Sequence, residues 1–389
     1  MKIALLSPSI YMSPIKYPDM IFAPRDLSIS LADNLVDLGH DVYFFATPDV
    51  QTKAHLMPGD KNLLEKDYGS AMLGNKESER LKWGYFYLTK YYYQLDLIRR
   101  CYEFSREQHV DIVHNYHDNM AHFFEGMVNI PTVYTLHDPL PTEEMKLNYW
   151  LLNTFKDHRY VSISNAFRRS AILQLNFVDT VYHGINMPQI KESGTYDYIA
   201  FMGRLIAEKG ADTAIDVARE LHIPIKLASS VEKANISDDA YYKTVIEPRI
   251  DPKLVTFTEF MNAQHKFIFL AGAKCFLFPI HWEEPFGMVM IEAMASGTPV
   301  VAYNRGSVSE LVRDGVTGFI VDDDKGNQGT RGNWVIKKTG KAGLVEAIQR
   351  IGEIDRVACR KHVEDNFTPR KTAEGYVKAY EKVIHDYIK

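Results

Sequence analysis

Cysteine is scarce in this chain, and the three present (Cys101, Cys275, Cys359) are scattered across 389 residues. No pair has the spacing of a zinc ligand set or a redox motif, and a disulfide-stapled scaffold is excluded. Cys275, within Lys274-Cys-Phe-Leu-Phe278, reads as a small core residue. Long apolar runs are also missing: no stretch approaches the ~18–20 residues of a membrane span. Neither charge dominates, with 45 Lys and Arg against 50 Asp and Glu. The net charge of −5 and a pI near 6.3 lack the basic footprint of a nucleic-acid partner. Repeats of 20–50 residues and low-complexity tracts are not evident. The opening run Met1-Lys2-Ile3-Ala4-Leu5-Leu6-Ser7 is too short for a signal peptide. The expectation is a soluble, cytoplasmic protein, with peripheral contact at the inner face of a membrane left open.

What is present is ordinary globular material: 46% hydrophobic, 24% charged and mean hydropathy −0.24. The length suggests two domains. Short apolar runs alternate with longer amphipathic segments, the pattern of parallel sheets with crossover helices. The first series of strands is expected at Ile3–Leu6, Val42–Ala46, Asp111–His114, Thr132–Leu136, Tyr160–Ile163 and Thr180–Tyr182. A helix is expected over Asp26–Gly39, ending on its glycine. The series then restarts at Tyr198–Met202, Ile223–Leu227, Leu254–Phe257, Cys275–Phe278, Pro299–Ala302 and Phe319–Val321. Between the two lies Asn186–Tyr196, polar and carrying Pro188 and Gly194, the linker candidate. The domains are therefore set at residues 1–187 and 188–368, with a helix over 369–389. The expected fold class is α/β, two Rossmann-like doubly wound parallel-sheet domains, with ligand in a cleft at the carboxyl ends of the sheets.

Chemistry concentrates in residues 276–302. A buried strand ends at Pro279, a loop holds Glu283 and Glu284, and a helix is expected from about Pro285 to Ser296. Around Glu292 that helix is Met, Val, Ile and Ala, so the carboxylate needs a partner. Either Glu284 and Glu292 sit in structural ion pairs or caps, or both face the cleft and accept hydrogen bonds from hydroxyl groups. A second cluster, Tyr198 to Gly210, reads as strand, glycine turn at Gly203, then helix. It places Arg204 at the strand's carboxyl end and Lys209 near the helix start. A guanidinium and an ammonium there make a diphosphate clamp, which can meet departing negative charge without a metal. A surface charge cluster is the alternative.

Glu284-x7-Glu292 within EPFG…EAMASGTPVVA, together with GR-x3-EKG at 203–210, resembles the retaining GT-B glycosyltransferases of family 4. Weaker agreements include Gly39-His40-Asp41-Val42, Asp111-Ile-Val-His114, His137-Asp138, His183-Gly184-Ile185 and Arg305-Gly306-Ser307…Glu310…Asp314-Gly315, so the resemblance is nearly full length. It implies two domains facing each other across a cleft, with a nucleotide-sugar donor (UDP- or GDP-sugar), a hydroxyl acceptor and no required cofactor. It implies that Glu284 binds hydroxyls of the transferred sugar and Glu292 the ribose. The backbone at Phe286, Gly287 and Met288 would meet sugar or phosphate, Arg204 and Lys209 would hold the diphosphate beside Gly203, and His137 would stabilise charge near the anomeric carbon. It further implies front-face attack, the leaving phosphate taking the acceptor's proton. The family's Gly-Gly-x-Glu is replaced here by Phe22-Ala23-Pro24-Arg25, so Arg25 supplies charge in place of bare backbone, or the loop serves the acceptor.

His114 and His117 have metal-like spacing but no third ligand, and Asp322-Asp323-Asp324 reads as a solvated turn. The aromatic and basic stretch Lys76–Arg100 is a membrane-interface or acceptor-groove candidate, against a half-buried helix with snorkelling bases. A nucleotide-sugar epimerase, a phosphorylase and a non-catalytic nucleotide-sugar-binding protein are the rival readings.

Overall fold

The computed structural model describes residues 1–18, 22–66, 79–116, 119–190, 195–229, 240–259, 263–324 and 332–388. The chain divides into two units. The first comprises Met1–Ile163, Ala171–Tyr182 and Pro369–Lys389; the second comprises Ser164–Ser170 and His183–Thr368. The 1–187 boundary expected from the sequence thus lies a few residues beyond the break at Tyr182. His183 to Ile185 belong with the second unit, where the Ile185 N–H donates to the Phe367 carbonyl at 2.9 Å. Residues 191–194 of the expected linker, Gly194 included, fall outside the described residues, as do His117 and residues 76–78 of the aromatic stretch.

The first unit holds a seven-stranded sheet ordered β3-β2-β1-β4-β5-β6-β7, every pair parallel. Its strands are β1 (Lys2–Leu6), β2 (Asp41–Ala46), β3 (His55–Pro58), β4 (Ile112–Asn115), β5 (Thr132–Thr135), β6 (Tyr160–Ser162) and β7 (Phe177–Thr180). Two strand expectations change. The edge strand β3 was not foreseen, because a four-residue strand ending in proline is tolerated only at a sheet edge. The last strand pairs over Phe177–Thr180 rather than Thr180–Tyr182, following a register shift at Tyr160/Val161. The first helix runs Ala23–Asp37, starting earlier than expected because Pro24 supplies a ready-made first turn.

The helix Pro369–Ile388 completes this unit. Its Tyr376 and Tyr380 are fully buried. The Tyr380 hydroxyl lies 2.6 Å from His114 Nδ1, and the Tyr376 hydroxyl 2.9 Å from Thr135 Oγ1, which in turn lies 2.8 Å from His114 Nε2. His114 is thereby a core residue whose pKa burial pushes down to about 3.

The second unit holds a six-stranded parallel sheet ordered β10-β9-β8-β11-β12-β13. These strands are β8 (Ile199–Met202), β9 (Ile225–Ser229), β10 (Val255–Glu259), β11 (Cys275–Phe278), β12 (Val300–Tyr303) and β13 (Gly318–Val321). β8, β11, β12 and β13 are buried at every position, as continuous apolar strands covered on both faces must be. Strand order reverses beside β1 in the first sheet and beside β8 in the second. Such a reversal opens a crevice at the strands' carboxyl ends, where ligands of doubly wound sheets bind.

Candidate active site

In the second unit, β8 and β11 are neighbours, with Ile199 level with Cys275 and Ala200 with Phe276. The loops that follow them therefore leave the same edge of the sheet side by side. The first contains Gly203 and the exposed Arg204, then a short turn over Ala207–Lys209, and Gly210 opens the helix Ala211–Leu221. The second runs from Pro279 to Gly287. They are tied together by the His281 N–H donating to the Glu208 carbonyl at 2.8 Å. Gly210 has φ +73°, and a Cβ there would sit 2.1 Å from the Pro279 carbonyl oxygen, so only glycine lets the loops approach this closely.

Lys209 and Glu284 meet between these loops, Nζ to Oε2 at 2.6 Å, with the two side chains 13% and 11% exposed. Trp282 completes the arrangement. Its indole N–H donates to the same Oε2 at 2.8 Å, and its ring lies 4.5 Å from the Lys209 ammonium. The ammonium also lies 5.5 Å from the Phe278 ring. Glu292, inside an otherwise apolar helix, finds its partner in Lys266 of the helix Ala263–Ala271, Nζ to Oε1 at 2.5 Å. Both carboxylates are thus paired with lysines, and each pair lies within the second unit.

The helix carrying Glu292 spans Met288–Ala295, not Pro285 to Ser296. Pro285 is not its first residue, because the backbone first turns through Gly287, whose φ is +82°. The three preceding carbonyls are tied down: Glu284 by the Ser307 N–H (3.0 Å), Pro285 by the Ser164 hydroxyl (2.6 Å) and Phe286 by the Ser307 hydroxyl (2.5 Å). Among the described residues no side chain caps the helix start; a helix end of this kind leaves backbone N–H groups able to meet an anion or a hydroxyl. Glu283 is held from the other side, accepting from the Gly306 N–H at 2.6 Å and from Arg305 at 3.1 Å. His183 packs its ring 4.9 Å from Phe286 and is buried, which pushes its pKa to about 3.

Arg25 and His137 belong to the first unit. The Arg25 guanidinium donates to the Tyr17 carbonyl at 3.2 Å and so braces the preceding loop. His137 follows β5, half-buried, with its ring 4.7 Å from Tyr116. It lines a cavity of about 290 Å³ whose wall also includes Ser9, Tyr11, Tyr91, Gln94 and Leu152. The triple aspartate is divided among separate partners: Asp322 accepts from Trp334, Asp323 pairs with Arg305 and Asp324 accepts from Thr339. Among the described residues no cluster of three or more His, Cys, Asp or Glu groups is placed to share a metal ion, and no helix is long and apolar enough to cross a membrane.

Sequence reasoning missed Trp282, Lys266 and Gln94. Trp282 adjoins the acidic pair and could have been suspected from that position; Gln94 lies within the aromatic and basic stretch Lys76–Arg100 but was not singled out there, and Lys266 lies in a segment with no motif.

Residues 28–187 match the model of the glycosyltransferase family 4 domain, and residues 185–329 match that of glycosyl transferases group 1. The chain belongs to glycosyltransferase family 4. An uncharacterized glycosyltransferase of Methanocaldococcus jannaschii is 25% identical over 239 residues, 56% of this chain and 63% of that protein. Across the first four curated relatives, the matched stretch spans 32% to 63% of their own length. Among solved structures, AviGT4, a glycosyltransferase of avilamycin A biosynthesis, superposes with TM-score 0.64 at 16% identity, covering 99% of both chains. Anabaena HepE in complex with UDP and glucose superposes with TM-score 0.60 at 17% identity, covering 97% and 98%. The family 4 chain therefore has the GT-B fold, with two parallel-sheet Rossmann-like domains.

Proposed function

We propose that this family 4 protein is a retaining glycosyltransferase that moves a sugar from a nucleotide-diphosphate-sugar to an acceptor hydroxyl. The observation that carries the reading is the Lys209–Glu284–Trp282 cluster at the carboxyl ends of β8 and β11. A half-buried ammonium and carboxylate at 2.6 Å satisfy each other, and each is also matched to one half of a sugar diphosphate. A diphosphate satisfies Lys209, sugar hydroxyls satisfy Glu284, and the pair opens around a ligand carrying both. The structure of HepE with UDP and glucose supplies a related example of such a ligand.

In this reading Arg204 and Lys209 meet the charge that develops on the leaving diphosphate, with Gly203 and the N-terminus of the helix Met288–Ala295 alongside. No metal is required for that step. Glu292 holds the ribose and Lys266 orients it. The bond from the anomeric carbon to phosphate oxygen breaks, the bond to the acceptor oxygen forms on the same face, and the acceptor's proton passes to the departing phosphate. His137 stabilises charge at the anomeric carbon. Donor contacts are thus assigned to the second unit and acceptor contacts to the first; the donor is a UDP- or GDP-sugar.

The test is a thermal-shift screen against nucleotides and nucleotide-sugars, followed by nucleotide release with and without acceptors. Stabilisation by a nucleotide-sugar and acceptor-dependent nucleotide release support the assignment. An altered nucleotide-sugar formed without acceptor would indicate an epimerase, and a demand for free phosphate a phosphorylase. Tight binding with no turnover over hours would reduce the protein to a binding module.

A further inference from the structure

The cavity beside His137 belongs wholly to the first unit, and its lining describes the molecule that fills it. At about 290 Å³ it lies at the small end of ligand pockets, which run from ~300 to 1,000 Å³. That size suits a ligand of about one six-membered ring. One wall is the helix Glu79–Glu107, from which Lys90, Tyr91 and Gln94 project on neighbouring positions of one face.

Gln94 is the informative residue. It is only 7% exposed, and its amide makes no hydrogen bond among the described residues. The amide opens into the cavity, where it offers donors and an acceptor to a group that both donates and accepts. Hydroxyls do both. Asn119 and Asn148 place two more amides at the exposed rim. The neighbouring Thr135 hydroxyl, by contrast, is already engaged with His114 and Tyr376. Aromatic faces from Tyr11 and Tyr91 supply the apolar surface on which the C–H face of a ring packs.

Charge on the lining points away from anions. One lysine and one aspartate, Lys90 and Asp138, contribute opposite signs. The Lys90 ammonium lies over the Tyr11 ring at 4.7 Å, a cation–π contact. A phosphate or carboxylate site would gather several cationic or N–H donors on one spot.

We infer that the acceptor is a neutral, single-ring polyol of monosaccharide size, held by the Gln94 amide and packed on Tyr91. The inference rests on the glycosyltransferase reading for the word acceptor, while the binding it asserts is independent of turnover. A site built to pair hydroxyls rejects analogues that lack them far more strongly than an apolar pocket rejects an extra methylene.

The experiment measures binding by saturation-transfer NMR to the full-length protein, using methyl hexosides and inositol. The same sugars as phosphates or uronic acids are run beside them, as are vesicles of phosphatidylcholine with phosphatidylglycerol. The expected result is millimolar binding of a neutral polyol, weakened at least tenfold in Gln94→Leu and in Tyr91→Ala, with UDP- or GDP-sugar thermal shifts unchanged. Tyr91 is 42% exposed, so its variant reports even where Gln94→Leu fails to fold. Tighter binding of the anionic sugars, capture on vesicles without polyol binding, binding of none of the probes, or undiminished binding in Tyr91→Ala would each overturn the inference. Polyol binding without transfer from any nucleotide-sugar would keep the pocket and remove the glycosyltransferase reading.

Discussion

In the second unit the loops after β8 and β11 present charge that is already neutralised, Lys209 on Glu284 and Lys266 on Glu292. In the first unit the equivalent sheet edge presents amides, hydroxyls and tyrosine rings around a cavity, with scarcely any charge. The folds are alike, and on the proposed assignment of donor and acceptor the contrast follows from the ligands. A diphosphate needs cations, and cations held half-buried need carboxylates to stand in for the ligand while it is absent. A neutral polyol needs only matched donors and acceptors. The second unit's site is thus internally compensated by its ion pairs, and the first unit's is not.

The largest effect should come from breaking the compensation. Lys209→Ala or Glu284→Ala is expected to lower nucleotide release by roughly 10²–10³-fold, the usual loss when one charge-stabilising group is removed. Each also strands a half-buried charge, with a stability loss approaching ~3 kcal/mol. The double variant Lys209→Met/Glu284→Gln should recover that stability in urea titration and none of the activity. Recovery of both would mean that the pair is purely structural.

Gly306 sharpens the same comparison on the backbone. Its φ is +54°, and a Cβ would lie 2.2 Å from the Glu284 carbonyl oxygen. Gly306→Ala should destabilise the second unit by about 2–4 kcal/mol, combining left-handed strain with overpacking. Hydrogen exchange resolved by unit should leave the first unit's protection unchanged.

Acid should separate the units next. His114 and His122 in the first, and His183 in the second, are buried and have pKa values near 3. Burial is the leading cause in all three, with the nearby His158 adding to it for His122. Unfolded, each would protonate near 6.5. The unfolded chain therefore binds more protons below that pH, so the stability these groups allow is complete above pH 6.5. It is lost as pH falls from 6.5 toward 3, by about 1.4 kcal/mol per unit per histidine once well below 6.5. With two such groups against one, the first unit should open first in hydrogen exchange between pH 6 and 4. Equal slopes would contradict the assignment. The smallest change is expected from Lys266→Met: nucleotide affinity about tenfold weaker, worth ~1.4 kcal/mol by isothermal titration, with kcat nearly unchanged.

Much of this was readable beforehand for a physical reason. Parallel strands buried on both faces must be apolar throughout, so β8, β11, β12 and β13 declared themselves within a residue or two. A carboxylate among Met, Val, Ile and Ala must have a partner, and Glu292 has one. The identity of that partner was not readable, because Lys266 reaches Glu292 from a helix 26 residues upstream and nothing local marks it. The helix start was misplaced for a similar reason. Pro285 carries the local signature of a first turn, yet Ser307 and Ser164 hold the backbone in a loop until Gly287. Gln94 sat unnoticed among tyrosines, since what singles it out is the wall opposite, drawn from segments near residues 9, 119, 137 and 148.

The helix Pro369–Ile388 has a consequence for the order of assembly. Tyr376 and Tyr380 fill the core of the first unit and close the polar chain through Thr135 and His114. During synthesis those 20 residues emerge after every strand of both sheets has been made. The second unit can thus finish folding while the first still waits with an open core, so the half made earlier matures later. A chain stopped at Thr368 should leave the ribosome with its C-terminal half native and its N-terminal half in need of a chaperone.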